Sequence, residues 1–367
     1  MANFDLTNLA VKMIAPNNEV IVDEAELPSV MVYIPKFTLN EVLNTADTSV
    51  HPAFKVNGAE IPGFYISKYQ NCIHDGRAYS LPAQDPAAVI NFDDSRARCE
   101  AKGNGWHLTT AAEWAAIALW CKKNGFMPYG NNNYGKDSRE SNYRAIPSMA
   151  RDGSNRVQRV ATGTGPLTWY HDKTLGGIAD LNGNVNEWLG GIRLVWGELQ
   201  ILANNDAADP ANPQNNTSLK WKAIKADDGT LVDPGSSVSD QGQATSGTTV
   251  KLDFASNKWK FSTSIANPQS DYKGCLFGDI TADSSIGDAA KLLLRALALL
   301  PDDGAVAADY EGDYVYWNHN VSERCVFRGG GWGNGANAGV FSLNGSYDRS
   351  NTHAGIGFRS AYIPGIG

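Results

Sequence analysis

The end of the chain combines two chemistries that few folds reconcile. Arg328-Gly-Gly-Gly-Trp332 and Gly357-Phe358-Arg359 carry the glycines and aromatics of tightly packed strands, yet the residues between them are dominated by Asn, Gly, Ser, Ala, Asp and Thr, punctuated by Tyr347, Arg349 and His353. So polar a middle does not form core, and such ends do not belong to free loop. The segment reads as a displayed surface held at both ends by a β framework. The plain alternative is a Gly/Asn-rich loop that binds nothing.

The rest of the chain is long enough to supply that framework. Its 367 residues, 42% of them hydrophobic, can bury a sizeable core. The 37 glycines and 10 tryptophans point to a loop-rich protein with aromatic corners rather than a helix bundle. With 39 acidic against 31 basic residues the net charge is −8, which argues against a nucleic-acid or anionic-membrane partner. No stretch approaches the roughly 18 apolar residues of a membrane span. The start, Met1 to Asn8, lacks the charge, apolar run and cleavage site of a signal peptide, so either a precursor segment has been removed or the protein is not exported by that route. Cys72, Cys99, Cys121, Cys275 and Cys325 are odd in number and far apart, and without CxxC spacing they read as buried free thiols rather than a zinc site or disulfide framework.

Residues 1–50 read as an N-terminal segment with short strands, among them Val30–Ile34, which ends at Pro35. Phe64–Tyr69 reads as a second strand after the Pro62-Gly63 turn. A helix is expected over Asp93–Ala101, and a clearer one over Thr109–Cys121, where Thr110 and Glu113 form a capping box and Asn124-Gly125 ends the helix. Residues 192–320 change character and read as an insertion. Strands are expected at Leu194–Leu202 and Lys251–Phe261, a loop at Gly235–Thr249, and a buried helix near 288–300, stopped by Pro301. The organisation expected is thus 1–50, 51–191, the insertion 192–320, and 321–367.

Four stretches in this order resemble the formylglycine-generating enzyme family, whose fold is a variant of the C-type lectin fold. They are Phe64–Tyr69, Trp106–Trp114 ending in Glu-Trp, Gly177–Trp188 with Asn186 where the family signature has a tryptophan, and Arg328–Trp332 with Gly357–Arg359. The resemblance implies an α+β, C-type lectin fold of the formylglycine-generating (sulfatase-modifying factor) subclass with a large insertion. It also implies a structural calcium at Asn182, Gly183, Val185 and Glu187, although Asn-Gly is equally an ordinary turn dipeptide. No cofactor is otherwise required. The family's oxidases carry a cysteine pair after the Gly-Gly-Ser. Residues 333–350 hold no cysteine and Cys325 precedes the motif, so the thiolate that such chemistry needs is missing. His51, His74, His107, His171 and His319 show no iron-ligand spacing. An oxidase of the formylglycine-generating or sulfoxide-synthase type remains the alternative reading.

The run Gly329–Phe341, the mixture after it and Ile356–Arg359 further resemble the variable region of proteins diversified by retroelements, and 125–134 and 162–169 resemble phage-borne members of that group. In that group randomised adenines turn asparagine codons into many residue types, which would fill 345–355, while Val340, Phe341, Leu343, Ile356 and Phe358 stay as scaffold. The displayed positions are then Gly330, Gly333, Asn334, Asn337, Ser342, Asn344, Gly345, Ser346, Tyr347, Asp348, Arg349, Ser350, Asn351, Thr352, His353 and Ala354, with Tyr347 and Arg349 as anchors. The resemblance implies a non-catalytic protein on a phage tail that binds a bacterial surface protein or glycan. A trimer at a fibre tip would suit that role.

Overall fold

A computed structural model describes residues 4–142, 144–242, 246–268 and 270–366. Residues 1–3 of the N-terminal segment and 243–245 of the Gly235–Thr249 stretch lie outside the described residues. Two sheets flank the helix Ala111–Asn124. Its Thr110/Glu113 capping box is formed, and Gly125 at φ 68° ends it in the left-handed region. The helix is buried on nearly every side because the sheets and the insertion pack around it. Trp114 Nε1 donates to Val340 O at 2.8 Å and so ties it to the terminal stretch.

The smaller sheet runs Asn18–Val22, Pro28–Pro35, Gly63–Ser67, Ser360–Tyr362, Trp106–Leu108, which brings the chain's last strand between two early ones. The first segment is not all strand: Asp5–Ile14 is a helix with Leu6, Leu9, Met13 and Ile14 exposed. Its apolar residues recur at helical spacing, a signal that a strand reading of the segment passes over.

The larger sheet has twelve strands among the described residues. Its axis is Asn186–Val195, a strand flanked near its start by both ends of the terminal stretch. Arg328 pairs antiparallel with Glu187 and Phe327 with Trp188, while Gly357 and Phe358 pair parallel with the same Glu187 and Trp188. The insertion extends this sheet in both directions. On one side, Asn186–Val195 turns at Trp196-Gly197 into Glu198–Ile201, and Ser246–Ala255 turns at Ser256-Asn257 into Lys258–Ser264. Each expected single strand is thus two strands of a hairpin, because these residues take positive φ. On the other side Tyr314–Trp317 pairs parallel with Leu343–Tyr347.

The insertion's helix covers Asp288–Ala296 and is shorter and more one-sided than its composition suggested, with only Ala290, Leu294 and Ala296 buried. The deep burial falls on Leu297–Leu300, which curl back so that Leu299 N donates to Leu294 O. Ala298 at φ 50° makes that reversal. All five cysteines are free and buried.

Candidate functional site

The terminal stretch is fixed at its two ends by buried arginines. Arg359, fully buried, donates from Nε and Nη2 to both oxygens of Glu187 (2.8 and 2.9 Å) and to the carbonyls of Ser67, Lys68 and Ala179. Such a pair persists in a dry interior only because nearly every donor is satisfied. Arg328, equally buried, donates to Ala298 O at 2.7 Å and Leu297 O at 3.3 Å, the carbonyls that leave the insertion's helix. Burial lowers its pKa to about 9.

Beside Glu187 lies the turn where a calcium was expected. Three oxygens of that turn, Gly183 O (3.3 Å), Val185 O (3.0 Å) and Glu187 Oε1 (3.0 Å), together with Asp180 O (3.2 Å), converge on Gln70 Nε2. The amide's orientation is fixed by a chain of bonds: Val160 N donates to Asn184 Oδ1, and Asn184 Nδ2 donates to Gln70 Oε1. Asn182 faces elsewhere, donating to Pro128 O and accepting from Asn132. The expected ligand set does not fit the ion. An amide N–H2 occupies the centre of the oxygens and Arg359 already neutralises the carboxylate. Among the described residues no group of three or more His, Cys, Asp or Glu is placed to hold a metal.

Between the two ends, main-chain bonds hold the excursion in place. His353 O accepts from Val89 N and Ile356 N, Arg349 O from Phe92 N, and Gly355 O from Asn186 N. The residues expected on display then divide. Gly333, Asn334, Ser350, Thr352 and His353 are exposed. Asn337, Asn344, Ser346, Tyr347, Asp348, Asn351 and Ala354 are half-buried. Gly330, Ser342 and Gly345 are buried. A Cβ on Gly345 would lie 2.0 Å from the Trp317 ring, and one on Gly330, at φ 76°, would lie 2.4 Å from Ala338 Cβ. Neither position is open to exchange, because backbone and ring fill the space a side chain needs.

Arg349 is the second correction. Rather than standing free as an anchor, it grips Glu323 through Nε (2.8 Å) and Nη2 (3.0 Å), Asp93 through Nη1 (2.9 Å) and Gln214 O through Nη2 (3.0 Å). Those carboxylates raise its pKa. Tyr347, by contrast, half-buried against Phe327 at 5.5 Å, faces a cleft.

This cleft, of about 190 Å³, gathers Gly330, Asn334, Asn337, Ser342, Asn344, Tyr347 and His353 from the expected set. Asn186, Tyr314, Tyr316 and Phe327, which the sequence reading did not place here, complete it together with the scaffold residues Leu343 and Ile356. The alternation of Tyr314-Val315-Tyr316-Trp317, half-buried and buried in turn, carried the signal: the two tyrosines share one face of a strand. Trp332 packs beneath Gly355. No relay of Ser, His and Asp forms here, since Ser350 Oγ donates to Asp348 and His353 Nδ1 accepts from Gly355 N.

Residues 17–192 match the sulfatase-modifying factor enzyme 1-like domain family. That match includes the Gly177–Trp188 motif, and its type of fold, α+β of the C-type lectin kind, is the one read from the sequence. No curated protein sequence matches the chain. Among solved structures it is similar to PvdO from Pseudomonas aeruginosa, at 14% identity over 91% of this chain and 94% of that one, with a TM-score of 0.33. It is similar to Treponema denticola variable protein 1, at 12% identity over 95% and 100% of the two chains, with a TM-score of 0.35. It is also similar to the Major Tropism Determinant U1 variant, at 12% identity over 91% of this chain, with a TM-score of 0.30. The chain spans only 62% of that determinant's length. The sulfatase-modifying-factor-like match ends at residue 192, inside the axial strand, so the cleft is built mainly from residues beyond it.

Proposed function

We propose that the chain is a non-catalytic ligand-binding protein whose surface between 333 and 354, apart from Gly345, Arg349 and the scaffold residues Val340, Phe341 and Leu343, is exchangeable and takes a bacterial surface ligand from a phage tail. One observation carries this reading. The excursion is positioned by main-chain bonds from Val89, Phe92 and Asn186 and by its two buried ends, so most side chains on it can change without moving it. A rigid frame with exchangeable side chains is what a diversified binding surface needs. The chemistry expected of an oxidase in this family is opposed by the thiols, all five buried, with burial pushing those of Cys72 and Cys275 up to about 11 and that of Cys325 higher still. Flanking DNA tests diversification: a near-identical template repeat differing at adenines, beside a reverse transcriptase gene, is expected, and its absence overturns that part. Binding is tested by adsorption of the labelled chain to host cells. Substitutions at Asn334, Asn337, Asn344 and Tyr347 are expected to change which cells are bound. Adsorption indifferent to them overturns the site, and stoichiometric copper in the purified protein would favour the oxidase.

A further inference from the structure

The cleft's own chemistry narrows its ligand, on the reading that this face binds one. Its lining contains no Lys, Arg, Asp or Glu, although the chain has 31 basic and 39 acidic residues. The nearby guanidinium of Arg349 is spent on Glu323 and Asp93. A charged group entering would lose hydration without gaining an ionic partner, and a wholly apolar one would strand the amides.

The amides are arranged in both senses. Asn334 and Asn344 commit their carboxamide oxygens to the N–H groups of Gly331 (2.7 Å) and Ser346 (2.9 Å), which leaves N–H2 groups as donors. Asn186 and Asn337 commit their N–H2 groups to Gly355 O (3.0 Å) and the Tyr316 hydroxyl (3.3 Å), which leaves carbonyl oxygens as acceptors. Neutral hydroxyls, each both donor and acceptor, satisfy such a mixed set. The rings add a surface for C–H faces: Tyr314 and Tyr316 lie 4.7 Å apart, and Tyr272 meets Tyr316 edge-on at 6.1 Å.

We infer that this cleft binds a neutral saccharide, with sugar faces resting on Tyr314 and Tyr316 and hydroxyls bonding to the four asparagines. The two tyrosines lie on the strand Tyr314–Trp317, outside the exchangeable stretch. They form a constant floor under a variable rim, so variants of the rim discriminate among saccharides without losing the class.

The test exposes the full chain to an array of neutral oligosaccharides alongside sialylated and phosphorylated counterparts and unrelated folded proteins. Neutral glycans are expected to be retained, competed by the free sugar, and weakened about tenfold by Tyr316→Ala or Tyr314→Ala at unchanged melting temperature. Should an alanine variant fail to fold, Asn344→Asp keeps the shape and is expected to weaken neutral-sugar binding by placing a carboxylate in the cleft. Retention of acidic glycans alone, of proteins alone, or of nothing on the array overturns the inference, as does neutral-sugar binding indifferent to these variants. If cell adsorption still depends on the rim in those cases, the ligand-binding reading survives and only the saccharide assignment falls.

Discussion

At Arg359 the guanidinium is spent inside the protein, on Glu187 and three carbonyls, whereas at His353 the exposed ring bonds only to its neighbour Gly355 N and the long-range tie is the carbonyl, which accepts from Val89 N. The two regions are neighbours in sequence and differ in what fixes them. The frame depends on side-chain identity: Glu187, Arg359, Arg328, Gln70 and the glycines whose space is already filled. The rim is tied to the rest of the molecule mainly by backbone bonds that any residue can make, Arg349 excepted, and most of its other side-chain bonds are local, such as Asn334 to Gly331 N and His353 to Gly355 N. A binding surface can therefore be rewritten next to a core that cannot.

Four measurements test this contrast. The largest effect is expected from Arg359→Leu, which leaves Glu187 charged, buried and unpaired at a cost of about 3–5 kcal/mol in urea unfolding; a loss no greater than that of a rim variant would erase the distinction.

Acid should then act on the frame. Burial lowers the His51 pKa to about 4, while Nδ1 accepts from Ala53 N and Nε2 faces Ala296 O at 2.8 Å, at the end of the insertion's helix. The unfolded imidazole takes its proton near pH 6.5 and the folded one only near 4, so the unfolded chain binds the extra proton across that window. This contribution is fully present above about pH 6.5 and is lost as pH falls towards 4, by about 3 kcal/mol. The check is the difference in unfolding free energy between the parent and His51→Gln, which should shrink over that range.

Gln70→Leu removes the amide from its four oxygens and is expected to cost about 2 kcal/mol, while calcium or EDTA leaves the parent's melting temperature unchanged. A calcium-dependent rise in the parent would show that an ion displaces Gln70 after all.

The smallest effects separate two positions within the terminal stretch itself. Gly345→Ala, pressed against Trp317, should cost about 1–3 kcal/mol, and Thr352→Ala should stay within about 0.5 kcal/mol. Equal values at both would mean that the boundary between frame and rim is drawn in the wrong place.

Much of the fold was legible because its signals are local. The Thr110/Glu113 capping box, the stop at Gly125 and the strand at Val30–Ile34, which the structure extends to Pro28–Pro35, all follow from neighbouring residues. The hairpins at Trp196-Gly197 and Ser256-Asn257 were less so, since a two-residue turn that puts Trp196, Ser256 and Asn257 at positive φ leaves continuous strand-like sequence on both sides. In the site, the extent of the exchangeable surface could be read from composition, but Gly345 and Arg349 could not be sorted from their neighbours. A glycine filled by Trp317 and an arginine claimed by Glu323 look like any other polar loop residue until partners distant in sequence are in place. Tyr314 and Tyr316 were missed for the same reason, although their period-two spacing was visible.

That a packed frame encloses a polar surface, and that no cysteine follows the glycine motif to supply a catalytic thiolate, is written in the order of residues alone. How that surface is held, and what fills the turn beneath it, emerges from the folded chain. Glu187 meets Arg359, and Gln70 reaches the oxygens of 180–187, across separations in the chain that no local pattern records. Hydrogen bonds act over a few ångströms of space, and folding alone determines which residues share it.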